Sequence, residues 1–135
     1  MSEKVTFRVF RGEPDSDGDP FGKMVDYEVD LDEGMVVLDV IHRIQAEHAP
    51  DLSCRWNCKA GKCGSCSAEI NGHPKLMCMT RMEEVFEEMD DETVPVLVKP
   101  MQAFPLTKDL VTDTSWAYET DKKIKPINGP IEPDW

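Results

Sequence analysis

The residues of this chain with the clearest chemical potential are its cysteines. All five lie between Cys54 and Cys78 in a sequence of 135 residues. Four of them, Cys58, Cys63, Cys66 and Cys78, follow the spacing C-x4-C-x2-C-x11-C. The first three match the plant-type spacing for a 2Fe–2S cluster, in which thiolates hold the two irons. The spacing therefore predicts that these four cysteines hold one 2Fe–2S cluster.

The fourth ligand depends on a hairpin that the sequence also predicts. Two short strand patterns are separated by Asn71-Gly72, the strongest short-range hairpin signal. A two-residue turn there pairs Ile70 with His73. Counting back along both strands then places Cys78 beside Cys66. We therefore expect the hairpin to return the last cysteine to the loop that carries the other three.

Other uses of clustered cysteines fit this pattern less well. A structural zinc site typically uses two short C-x2-C-type pairs. This sequence has one such pair, Cys63 and Cys66. A secreted disulfide scaffold spreads its cysteines along the chain. Cys54 stands outside the spacing and is interpreted as a small, partly buried thiol, with a substitute ligand or a reactive thiol left open. A zinc-stapled interaction module remains the alternative from another class of protein.

Composition narrows the possible partners. The formal net charge is −12 and the pI is about 4.6, which argues against nucleic acid because phosphate binding needs a basic face. No apolar run approaches the roughly 18–20 residues that span a bilayer. The first ten residues lack the apolar core of a signal peptide. We therefore expect a cytoplasmic chain with no membrane span of its own.

The remaining patterns describe the elements that must position the cysteines. Alternating or helical hydrophobic spacing predicts strands over 4–10 and 24–31, a loop over 11–23, a helix over 36–46 and a last strand over 94–99. The acidic run over 83–93 is interpreted as a solvated face. A short helix is predicted after Pro105. This order indicates a small α+β fold, in which a curved sheet cradles one helix.

Two stretches of the sequence resemble the iron–sulfur subunit of succinate dehydrogenase and fumarate reductase. The first runs from Cys58 to Cys78, and the second is the segment 104–113 with Ser115, Tyr118 and Lys125-Pro126 after it. The resemblance implies a β-grasp ferredoxin fold over residues 1–103. It implies that residues 104–135 form an extension that leads into a helical iron–sulfur domain.

The resemblance also implies a function. The 2Fe–2S cluster would pass single electrons from the FAD of a flavoprotein subunit to further iron–sulfur clusters and a quinone, in succinate oxidation or fumarate reduction. Membrane-anchor subunits would hold the complex at the cytoplasmic face of the membrane. We identify no catalytic residue and no succinate or flavin site in this chain.

One departure from the family pattern concerns the second domain. In the family that domain carries further cysteine motifs of the C-x2-C-x2-C-x3-C-P kind, and this sequence contains none. We expect either an isolated domain or fragment, or a remainder on another polypeptide. The alternative is a free-standing ferredoxin or a small subunit of another flavoenzyme.

Overall fold

A long antiparallel hairpin opens the fold. The computed structural model of the chain describes residues 3–56, 66–89, 94–113 and 115. Strand β1 (Glu3–Pro14) pairs with β2 (Pro20–Leu31) over its whole length. The loop predicted over 11–23 is wrong, because the turn occupies only residues 15–19. Gly12 and Gly22 stand directly opposite each other, and their lack of Cβ atoms lets the two backbones continue in close contact.

Three further strands complete a mixed five-stranded sheet. Strands β3 (Ser67–Ile70) and β4 (His73–Leu76) form a second antiparallel hairpin. Strand β5 (Val96–Lys99) lies between β1, to which it is parallel, and β3, to which it is antiparallel. The sheet order is β2-β1-β5-β3-β4. A strand is therefore confirmed within 94–99, at the centre of the sheet, but it is not the last strand of the chain, because two more follow it.

The predicted helix packs against this sheet. Helix α1 (Val37–Glu47) begins where the backbone N–H of Val36 donates to the Asp39 carboxylate at 3.1 Å, which satisfies part of the helix start. Its apolar stripe is buried in the same core as the inward side chains of β1 and β2. The core members on the helix are Val37, Leu38, Val40, Ile41 and Ile44. The α+β class and the expected sheet-on-helix arrangement are confirmed.

Two predictions outside this framework need correction. The acidic run contains a short helix, α2 (Met82–Glu88), whose Met82 and Val85 are buried, so it is more than a solvated face. The helix predicted after Pro105 is wrong. Strands β6 (Leu106–Lys108) and β7 (Val111–Thr112) form a two-stranded sheet there. Asp109 between them has φ of 49°, a left-handed conformation that a right-handed helix does not accommodate.

The helices of the described part of the chain are short. The longer of them, α1, has 11 residues. Among the described residues no helix has the length and apolar character needed to cross a membrane.

Candidate iron–sulfur site

The second hairpin has the turn that the sequence predicts. Asn71 and Gly72 have φ of 51° and 85°, and Ile70 pairs with His73. The turn is also attached to the centre of the sheet. The Asn71 N–H donates to the carbonyl of Leu97, and the Leu97 N–H donates to Asn71 Oδ1, both at 2.9 Å. The predicted register is therefore confirmed, and strand β5 holds it in place.

At the open end of this hairpin, two of the predicted ligands lie together. Cys66 and Cys78 are buried, with exposures of 3% and 7%. The backbone N–H of Cys78 donates to Cys66 Sγ at 3.4 Å, and the N–H of Met77 donates to the Cys66 carbonyl at 3.3 Å. The hairpin thus returns Cys78 to Cys66, as the residue count predicts.

The surroundings of this pair fit a metal–sulfur group. Burial raises the pKa of the Cys66 thiol, while the N–H of Cys78 acts in the opposite direction. A buried thiolate needs a cation or hydrogen-bond donors to offset its lost hydration. Iron held by Cys66 and Cys78 would supply the cation, and N–H groups aimed at sulfur are a regular feature of iron–sulfur sites. The donors present are therefore suited to a thiolate-held cluster.

The other two predicted ligands lie outside the described residues. Cys58 and Cys63 belong to the segment 57–65, which the structure does not describe. Within the described ranges, three or more potential metal ligands are nowhere gathered at one place. The set of four sulfur ligands therefore stays a prediction, of which the structure describes two members, Cys66 and Cys78.

Cys54 has the surroundings of a packed thiol. It is half-buried against the hydrophobic core. Burial, and to a smaller extent the charge of Cys66, raises the pKa of the Cys54 thiol to about 12. These surroundings favour a neutral thiol and agree with the interpretation of Cys54 as a small apolar side chain.

A buried carboxylate beside the cysteine loop was missed by the sequence reasoning. Asp109 is 1% exposed. Its two oxygens accept the backbone N–H groups of Gly12 and Ser53, each at 2.9 Å. In a chain with 27 acidic residues, sequence pattern does not distinguish one buried aspartate from the exposed ones. Neither the helix predicted after Pro105 nor the family resemblance of the segment 104–113 assigns a role to this residue.

Exposed apolar side chains flank the cysteines. Trp56 lies two positions before Cys58 and is 46% exposed, and Met79 directly follows Cys78 and is 56% exposed. The Trp56 ring also packs edge-on against His42, with ring centroids 5.0 Å apart. An exposed apolar side chain therefore directly follows one of the described ligands, Cys78.

Comparison with known proteins agrees with this geometry. The family model of the 2Fe-2S iron-sulfur cluster binding domain matches residues 6–119. The chain belongs to this family. The family membership confirms the predicted cofactor, one 2Fe–2S cluster, and the ferredoxin-like α+β fold.

Individual members of the family with similar sequences are iron–sulfur subunits. The chain is 32% identical to the succinate dehydrogenase iron-sulfur subunit of Coxiella burnetii, over 90% of this chain and 48% of that protein. It is 33% identical to the fumarate reductase iron-sulfur subunit of Haemophilus influenzae, over 93% of this chain and 45% of that protein. The chain thus spans about half the length of these relatives.

A solved structure shows the same relationship. A chain of the Mycobacterium smegmatis Sdh1 complex in the apo form is 48% identical, with a TM-score of 0.82. The match covers 98% of this chain and 52% of that one. The described fold is therefore shared with a chain of that complex, and the resemblance inferred from the two sequence stretches is confirmed.

Proposed function

We propose that this chain relays single electrons through one 2Fe–2S cluster held by Cys58, Cys63, Cys66 and Cys78. When bound, such a cluster accepts and returns one electron at a time. The relay would connect the FAD of a flavoprotein subunit with further iron–sulfur clusters and a quinone, in succinate oxidation or fumarate reduction. The chain itself would carry no catalytic residue.

The observation that carries this proposal is the buried pair of Cys66 and Cys78. Their separation of twelve positions along the sequence is closed by the Asn71-Gly72 turn, and the N–H of Cys78 donates to Cys66 Sγ at 3.4 Å. A buried thiol pair held this way needs little rearrangement to bind metal, which reduces the cost of ordering the ligands. The segment 57–65, which precedes Cys66, would supply Cys58 and Cys63.

The partners are proposed from the names of the relatives and from the surface beside the ligands. The relatives are subunits of succinate dehydrogenase and fumarate reductase, so a FAD-containing flavoprotein subunit would dock here and membrane-anchor subunits would complete the complex. Met79 directly follows Cys78, Trp56 lies two positions before Cys58, and both side chains are exposed. Exposed apolar side chains so close in sequence to the ligands suit contact with a partner that exchanges electrons with the cluster. The chain would then lie at the cytoplasmic face of the membrane through its partners.

The domain assignment is also part of the proposal. Residues 1–103 would form the ferredoxin-type domain, and residues 104–135 would form an extension toward a helical iron–sulfur domain. The first part of that extension is not loose, since Leu106 and Leu110 are buried. We therefore propose an extension that is anchored on the sheet before it leads away.

The ligand set is tested by reconstituting the chain with iron and sulfide. The dithionite-reduced protein should show one 2Fe–2S EPR signal and about two irons per chain. Cys78→Ala should abolish or scramble this signal, because it removes a sulfur from the site. Cys54→Ala is the matched control and should leave the signal intact. Loss of the signal in Cys54→Ala would show that the ligand assignment is wrong, and a colourless protein with bound zinc would support the zinc module instead.

The partner proposal needs a separate experiment. The reconstituted chain, immobilised and exposed to an extract of its own cells, should retain a FAD-containing subunit that oxidises succinate or reduces fumarate. Met79→Glu should weaken this retention without changing the EPR signal, because the charge is added outside the ligand set. Retention of an unrelated flavoenzyme would favour the small-subunit alternative. A chain that exchanges electrons with a partner but retains none would favour a free-standing ferredoxin.

A further inference from the structure

Three separate parts of the chain meet at the Asp109 side chain. One oxygen accepts the N–H of Gly12 on β1, and the other accepts the N–H of Ser53, just before the cysteine loop. The backbone repeats both connections. The Asp109 N–H donates to the Gly12 carbonyl at 2.9 Å, and the Leu110 N–H donates to the Ser53 carbonyl at 3.2 Å. The turn between β6 and β7 therefore joins the first strand to the entrance of the loop.

The Asp109 carboxylate has one cationic partner, which is half-buried. Arg11 Nε lies 3.3 Å from Asp109 Oδ1, an ion pair without hydrogen-bond alignment. The same guanidinium donates to the Tyr27 hydroxyl at 2.7 Å and pairs with Asp51 at 2.9 Å. Arg11 thereby also contacts the segment that leads into the cysteine loop. Two N–H donors and a cation together replace the hydration that this carboxylate loses, so its burial is compatible with a stable fold.

These contacts restrict where the first proposed ligand can lie. Ser53 is five positions before Cys58, so a fixed Ser53 keeps that cysteine within about 18 Å along the backbone. The other end of the loop is fixed at Cys66 by the β3–β4 hairpin. Both ends of the loop are thus attached to the fold, one end by the hairpin and the other at Ser53 by the Asp109 side chain together with the Leu110 N–H.

We propose that Asp109 is a positioning residue for the cluster: it holds Ser53 in place and so fixes the entrance of the loop that carries Cys58 and Cys63. This inference rests on the proposed ligand set and adds a residue to it that binds no iron. It also assigns a role to the segment that contains β6 and β7, because that segment carries the residue that holds Ser53.

Asp109→Asn is the variant that isolates this role. Asparagine tolerates the left-handed conformation of φ 49° and has nearly the same shape. It has one acceptor oxygen, however, so its amide N–H₂ must face either the Gly12 or the Ser53 donor. Losing one charge-assisted hydrogen bond of this kind should let the loop entrance open about tenfold more often.

The measurement is the rate at which the reconstituted 135-residue chain loses iron to a chelator, together with the EPR line shape of the reduced protein. The expected result is about tenfold faster iron loss and an altered line shape. Val29→Ala is the control, because Val29 is 2% exposed on β2 and its truncation weakens the core without touching the loop. Both variants are compared at denaturant concentrations that give them equal free energies of unfolding.

If Asp109→Asn loses iron at the same rate as Val29→Ala and gives the same EPR line shape, the positioning role is overturned. If Asp109→Asn does not fold, Arg11→Gln takes its place, and it should still release iron faster than the control at matched stability. Equality of Arg11→Gln with the control would likewise overturn the inference. A wild-type chain that takes up no 2Fe–2S cluster would instead overturn the ligand set on which the inference rests.

Discussion

Replacing Asn71 with alanine should destabilise the hairpin that returns Cys78 to Cys66. The substitution removes the Oδ1 acceptor of the Leu97 N–H, which leaves a part-buried donor without its partner at a cost of about 1–3 kcal/mol. It also places an alanine at φ 51°, where a residue other than glycine, asparagine or aspartate costs about 1 kcal/mol more. The expected loss in the free energy of unfolding is therefore about 2–4 kcal/mol.

Urea unfolding followed by far-ultraviolet circular dichroism measures this loss. Asn71→Asp is the matched control, because aspartate keeps an acceptor oxygen and tolerates the left-handed conformation. It should lose less than about 1 kcal/mol. In the reconstituted protein, Asn71→Ala should also retain less iron than Asn71→Asp, since the turn positions Cys78. Equal losses in the two variants would refute the reasoning, because they would show that neither the acceptor nor the backbone conformation matters.

Two further predictions concern the first hairpin. In Gly12→Ala, the new Cβ would lie 2.3 Å from the Phe21 carbonyl oxygen and 2.8 Å from Gly22 Cα, so the variant should lose about 3 kcal/mol or more of unfolding free energy in a urea titration. Gly34→Ala is the control, because its new Cβ meets nothing within 4 Å and only its φ of 82° is unfavourable. It should lose about 1 kcal/mol of unfolding free energy. A Gly12→Ala loss no larger than this would contradict the steric argument. The second prediction concerns pH: the Arg8 guanidinium, hydrogen-bonded to Asp26 at 2.7 Å, holds the pKa of that carboxyl below its ordinary value. A carboxyl with a lowered pKa stabilises the fold above its unfolded-state pKa and loses that contribution as the pH falls. The stability difference between wild type and Asp26→Asn should therefore shrink between pH 6 and pH 3, and a difference that grows toward low pH would contradict the ion pair.

Much of the fold could be predicted because its signals are local. The Asn71-Gly72 turn fixes the second hairpin through backbone conformations that few other residues adopt. The apolar spacing of α1 marks a helix because side chains three and four positions apart share one face. The cysteine spacing indicates the cluster because thiolate ligands on one short loop leave few other chemical uses. These predictions depend on neighbouring residues alone, and the structure and the family membership agree with them.

The elements that were missed have weak or misleading local signals. In α2, the buried Met82 and Val85 are outnumbered by acidic side chains, so the short apolar stripe was hidden by the charge. After Pro105, the spacing of Leu106 and Leu110 imitates a helix. The left-handed backbone at Asp109 directs the chain into two strands instead.

The sequence by itself determined the cofactor and the hairpin that joins Cys78 to Cys66. Only the tertiary structure decided that Asp109 is buried between β1 and Ser53, at 2.9 Å from an N–H group of each. The physical reason is distance along the chain. Gly12, Ser53 and Asp109 lie more than 40 positions apart from one another, so the residues next to an aspartate in the sequence do not show which backbone donors it will meet. Its burial becomes visible only when the backbone donors that replace water are in place.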